Sequence, residues 1–203
     1  MKYKKELFLL LLYSTALFWS SMNPADRFTW WLEVIPGIIG LFIIIATFRN
    51  YKLTMLSYTL ILIHCVILFI GGHYTYAEMP LFNWLKETFE LDRNYYDRLG
   101  HFAQGFIPAI IIREILWRSS PLKHSRWMPF LVISTCLAIS AVYELVEFAV
   151  AIMTGEAAEA FLGTQRDVWD TQWDMLLALI GASVSYLLLQ RLHDNQLEKI
   201  KTR

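Results

Sequence analysis

From Leu53 to Gly72 the chain carries no Asp, Glu, Lys or Arg, and this run limits the fold more than any other feature. About 20 apolar residues is the length at which an α-helix crosses the roughly 30 Å hydrocarbon core of a bilayer. A segment in lipid must satisfy its own backbone hydrogen bonds, so a lone apolar run of this length crosses as a helix. Similar runs recur along the sequence. It therefore predicts an all-α fold, a polytopic membrane helical bundle of about six transmembrane helices: Leu7–Met22, Thr29–Phe48, Leu53–Gly72, Asp97–Trp117, Trp127–Met153 and Gln172–Leu192. No linker, internal repeat or low-complexity stretch divides the chain, which reads as one transmembrane domain over residues 1–203.

Composition agrees. Hydrophobic residues make up 56% and charged residues 18%, against about 25% charged in soluble domains. Mean hydropathy is +0.41. The expected partner is the lipid bilayer. A net charge of zero offers no basic field for nucleic acid, and nothing in the spacing sets an oligomeric state. Cys65 and Cys136 lie inside apolar runs and read as small buried hydrophobes; there is no CxxC and no zinc spacing. The first segment follows Lys2, Lys4 and Lys5 as a signal peptide would. It exits through Ser20-Ser21-Met22-Asn23-Pro24 without a small-x-small cleavage site, so it is expected to remain as a helix.

Basic residues set the expected orientation. With the N-terminus inside, only Arg27, Lys86, Arg93, Arg98 and Arg166 of the 18 Lys and Arg residues fall outside. The positive-inside rule then puts both termini in the cytoplasm. The loops 72–96 and 154–171 face outward. Within the first, Leu81, Trp84, Leu85 and Phe89 oppose Lys86, Glu87 and Glu90, which predicts a short interfacial helix over Pro80–Asp92. Tyr74, Tyr76, Trp84, Tyr95, Tyr96, Trp169 and Trp173 form an expected outer aromatic belt.

Ionisable residues inside membrane helices are costly, about 2.5–3.5 kcal/mol at the centre on insertion scales, so they need a reason. Here they gather near the outer ends of the last three segments. Asp97 and His101 are one helical turn apart, with Gln104 next and Pro108 beyond it, where a backbone hydrogen bond is lost. Tyr143, Glu144 and Glu147 share a stripe with Ser140. Asp167, Asp170 and Asp174 align before a small-residue stripe, Ala178, Gly181, Ala182 and Ser185, of the kind that brings membrane helices close. Together these residues form a candidate polar pocket.

Two chemistries fit the pocket. A divalent cation would take ligands from His101, Glu144, Glu147 and Asp174, although no HExxH accompanies them. A proton or ion pathway would use the same carboxylates. The plainer alternative is a structural network with helix caps, Asp167 or Asp170 as N-cap and Thr171-x-x-Asp174 as a capping box. Other ionisable groups read as ordinary: Glu33 pairs with Arg27 or sits at the interface, Glu114 and Arg118 form a surface ion pair, His64 is a core histidine, and His193 carries no motif.

The runs Tyr96-Asp97-Arg98-Leu99-Gly100-His101-Phe102, Tyr143-Glu144-Leu145-Val146-Glu147-Phe148 and Leu162-Gly163-Thr164-Gln165-Arg166-Asp167-Val168-Trp169-Asp170-Thr171-Gln172-Trp173-Asp174-Met175 resemble the YjdF family of bacterial inner membrane proteins. That resemblance implies a small polytopic protein of the bacterial cytoplasmic membrane and brings no reaction with it. A looser one is to VanZ-like proteins: Asp97, His101 and Phe102 match their Asp-Lys-x-x-His-Phe helix, with Arg98 for Lys. Asp174 stands where that pattern has Asn, and Leu177 where it has Gly. Three function classes follow. The first is a membrane protein with an outward-facing carboxylate pocket for a cation, a proton or a lipid head group. The second is a membrane-embedded, metal-dependent hydrolase or transferase on a lipid-linked envelope substrate, with His101 or Glu147 as base. The third is a small ion or solute transporter, which would be expected to show repeated halves that this sequence lacks.

Overall fold

The structure is a computed structural model that describes residues 3–155 and 159–201, and among these residues there is no strand. The helices are α1 (Lys4–Ser21), α2 (Arg27–Thr47), α3 (Met55–Tyr74), α4 (Pro80–Thr88), α5 (Tyr96–Ser119), α6 (Trp127–Thr154), α7 (Glu159–Leu162) and α8 (Asp170–Lys201), with a 3-10 turn at Tyr76–Glu78. Their starts carry local signals. The Asp26 side chain accepts from Thr29 N at 2.6 Å to cap α2, Thr54 Oγ1 does the same for Ser57 N in α3, and Pro80 opens α4.

Helices α2, α3, α5, α6 and α8 are long and apolar enough to cross a membrane. Helix α1 has Lys4, Lys5 and Glu6 in its first turn, so its apolar part starts at Leu7. It packs against α3, with Tyr13 meeting the Phe69 ring edge-on at 5.1 Å. Helix α4 forms within the stretch Pro80–Asp92 where a short helix is expected but ends at Thr88, short of Phe89, and Trp84 and Leu81 are exposed on it. Exposed Phe42, Ile43, Leu145, Phe148, Leu187 and Leu188 would be an aggregation hazard in water; in a bilayer they face solvent of their own kind.

Helix α5 is the hub, packing on α8, α6 and α3. The α5–α8 contact depends on glycine. A Cβ on Gly105 would overlap the Ala178 carbonyl, and one on Gly181 would overlap the Phe102 carbonyl. Ala178, Ala182 and Ser185 are fully buried there, so the small-residue stripe is the seam between these two helices.

At the end of the bundle where α3 begins, Glu114 and Arg118 are not a surface ion pair. Glu114 is fully buried. It accepts from Thr54 N at 2.9 Å, Thr54 Oγ1 at 2.8 Å, Ser57 Oγ at 2.6 Å and Arg118 at 3.0 Å. Of the backbone donors at the N-terminus of α3, Thr54 N goes to this carboxylate from α5, Ser57 N to Thr54 Oγ1 and Leu56 N to Gln196 of α8. His193, fully buried on α8, bridges Glu114 at 3.3 Å and Arg113 at 3.0 Å. An arginine only donates, so His193 Nδ1 accepts and Nε2–H faces Glu114.

Candidate functional site

The opposite end, where α5 and α8 begin, holds the residues singled out above, and the structure sorts them into two groups. The first is an arginine–aspartate lattice. Asp170 Oδ1 receives Arg93 at 2.6 Å and Arg98 at 2.7 Å. Arg98 also pairs with Asp174 and with Asp167 at 3.1 Å, and donates to the Asp170 carbonyl at 3.1 Å. Arg93 donates to the Gly163 carbonyl at 3.2 Å. The guanidinium fork suits such multiple pairing. The connector before α8 is held in this lattice with positive φ at Gly163, Gln165 and Arg166. Gln165 and Asn94 exchange two 2.8 Å hydrogen bonds between side-chain amide and backbone.

Asp167 is not the N-cap of α8, which starts three residues later at Asp170; its carboxylate accepts from Trp169 N at 2.9 Å and closes an Asx turn in the connector. The capping box expected at Thr171 and Asp174 does not form. Helix α8 already begins at Asp170, which places Asp174 in its second turn, facing Arg98. Arg93 and Arg98, outside charges by the positive-inside pattern, are buried partners of these aspartates.

The second group surrounds a cavity of about 170 Å³. Its walls are Glu33 and Pro36 of α2, His64 and Leu68 of α3, Tyr76, then Asp97, Gly100, His101, Gln104 and Pro108 of α5. Ile139, Tyr143 and Glu147 of α6 and Phe161 of α7 complete it. No Lys or Arg is among them. His101 Nδ1 lies 3.2 Å from Gln104 Oε1 and 3.7 Å from Glu144 Oε1; its Nε2 lies 3.5 Å from Asp97 and 3.8 Å from Asp174. The Tyr143 ring stands edge-on to the imidazole at 6.4 Å. Asp97 Oδ2 is buried and accepts no hydrogen bond, although Arg93 forms an ion pair with it at 3.5 Å. Glu144 Oε1 is likewise buried without a donor.

Glu33 occupies neither of the two places its sequence position suggests. It does not pair with Arg27, which bonds the Ser21 carbonyl at 3.0 Å, and it is not at the interface, being 4% exposed. Its carboxyl faces the Tyr76 hydroxyl. A signal was present: it is the one charge in the run Thr29–Phe48, with Pro36 three residues on. Tyr76 reaches this position because Gly71 and Gly100 leave room for its ring; a Cβ on Gly100 would sit 2.9 Å from it. Burial, with Glu33 adding to it, pushes the Tyr76 phenol up, so it stays protonated beside that carboxyl. Pro36 and Pro108 also remove the helical donors to the Leu32 and Gln104 carbonyls, adding free acceptors near the cavity.

Asp97, His101, Gln104, Tyr143 and Glu147 thus meet at the cavity. Asp167, Asp170 and Asp174 turn to the arginines, and Glu144 stands between. Among the described residues, Asp97, His101 and Asp174 each offer a ligand atom within 4.8 Å of one another. Glu144 and Glu147, expected in a metal set, are not part of that group.

Apolar helices with lipid-facing surfaces and a buried carboxyl cavity define a multi-pass helical membrane protein. The chain belongs to the family described as predicted membrane protein (DUF2238), whose profile matches residues 5–195. It is 46% identical over 183 residues to the inner membrane protein YjdF of Escherichia coli (strain K12), covering 90% of this chain and 88% of that protein. No solved structure matches it. The relative and the apolar helices together support a multi-pass place in the bacterial inner membrane.

Proposed function

We propose that the chain is one transmembrane domain of six spans, α1 included, with both termini cytoplasmic, and that its outward-facing cavity binds a cationic group. One observation carries this reading: Glu33, Asp97 and Glu147 line a cavity that has no Lys or Arg in its wall. Asp97 Oδ2, buried without a hydrogen bond, is the kind of acceptor that a bound donor would satisfy. The arginine–aspartate lattice beside it supplies the rigid support that a preorganised site needs.

Ethanolamine tests the reading. A ligand that binds only the folded state raises the melting temperature as its concentration passes Kd. The purified protein in detergent should melt higher with ethanolamine, and Glu147→Gln and Glu33→Gln should lose most of that gain. Equal gains in parent and variants would overturn it.

A second reading rests on the Asp97, His101 and Asp174 group, which would hold a divalent metal for hydrolysis or transfer at a lipid-linked substrate. Arg98 already pairs with Asp174, so a metal there would have to compete with a guanidinium. Elemental analysis of purified protein decides it: no bound metal, together with no stabilisation by added Mg²⁺ or Zn²⁺, rules it out. Transport fits less well, because the groove leading away from the cavity is walled mainly by apolar side chains.

A further inference from the structure

We infer that the cavity is the head-group end of a longer cleft, which holds a single-chain membrane amphiphile with an ammonium head. The inference rests on the cation reading above and adds the rest of the ligand. A groove of about 370 Å³ runs along α2, α3 and α5, with Gly40, Ile44, Ile61 and Ile111 in its walls. Pro36, His64 and Leu68 line both the groove and the cavity. The two spaces therefore adjoin at mid-helix, and the inferred cleft that joins them is polar at the end where α5 begins and apolar towards the other.

An apolar groove in a bilayer is unremarkable by itself, because lipid tails are as apolar as its walls. Its polar end gives it selectivity. Glu33, Asp97 and Glu147 line the cavity, and no lysine or arginine is in its wall; Arg93 reaches Asp97 from outside it, at 3.5 Å. A phosphate head would find carboxyl oxygens and no guanidinium or ammonium donor in the wall, whereas an ammonium head brings the donors those oxygens accept. The buried, unbonded Asp97 Oδ2 is an acceptor for such a donor. Entry is sideways: Ile43, in the groove wall, is exposed to the lipid face. The groove itself has the volume of an ordinary ligand pocket, about 300–1,000 Å³.

The probe is dodecylamine carrying a photoreactive diazirine in its chain, at low mole fraction in phosphatidylcholine vesicles containing the full chain. The control is dodecyl phosphate with the same diazirine. The amine should label the α2 and α3 walls around Gly40 and Ile61 several-fold more than the phosphate does. Gly40 has open space at its Cβ position, so Gly40→Trp should block the groove and remove the label while the melting gain with ethanolamine persists. Ile61→Trp makes the same test should Gly40→Trp fail to fold. Equal labelling by the two probes overturns the head-group assignment. Label scattered over the lipid face, or unchanged in the blocked variant, overturns the groove and leaves the cation site standing. Loss of the ethanolamine response in Glu147→Gln without loss of chain labelling would separate the two in the other direction, also against the single-cleft inference.

Discussion

Arg98 reaches from α5 to three aspartates at the start of α8 and leaves few of its donors unused. Breaking a buried ion pair by removing one partner costs about 3–5 kcal/mol, because the other charge stays buried and uncompensated. Exposed pairs contribute about 0–1 kcal/mol. Arg98→Ala should therefore melt far below the parent in detergent, whereas Arg27→Ala, which removes one exposed hydrogen bond to the Ser21 carbonyl, should melt close to it. If the two variants melt together, the lattice does not carry the end of the bundle. Individual roles were the least legible part of the sequence. Asp97, His101 and Glu147 stood out because carboxyls and histidines are rare in apolar runs. Whether an aspartate faces a ligand or an arginine depends on connectors such as 163–167, whose path no helical periodicity encodes. Helical periodicity is equally silent on what Glu33 and His193 meet, because their partners, Tyr76 and Glu114, are distant in sequence.

At the scale of helices, the sequence was far more readable. Apolar runs fixed α2, α3, α5 and α6 closely, and the small-residue stripe identified the α8 face that meets α5. What it did not reveal was the length of α8, which extends from Asp170 to Lys201. Its last turns are polar, and tertiary bonds such as Gln196 to Leu56 N at 3.0 Å hold them against the bundle. The seam gives a sharp test. Gly105→Leu or Gly181→Leu puts side-chain atoms where a carbonyl of the facing helix already lies. Overpacking typically costs about 1–3 kcal/mol, and backbone on the other side can yield little. Both variants should lower the melting temperature strongly, while Gly40→Ala, with open space at its Cβ, should hold or raise it through helix propensity, up to about 1 kcal/mol. A tolerated leucine at position 105 would mean that α5 and α8 are not packed this closely.

For the whole molecule the expected outcome concerns sidedness. A reporter active only in the cytoplasm, fused after Arg203, should work. Val168, 85% exposed in the connector before α8, should react as Val168→Cys with a membrane-impermeant thiol reagent in intact spheroplasts. Cys65 and Cys136 are both buried and should contribute little background. Labelling only after lysis would put this connector inside and the cavity on the cytoplasmic face.

The lattice at the start of α5 also bears on how such a chain is made. Synthesis runs from the N-terminus, so Arg93 and Arg98 emerge long before Asp167, Asp170 and Asp174 exist. Until the connector before α8 is made the two guanidinium groups lack its aspartates, and only Asp97, which pairs with Arg93 at 3.5 Å, is already in place. Helix α8 thus closes an ionic clasp on a partly built bundle, and the cavity gains its rigid rim only once the residues from Asp167 to Asp174 have been made.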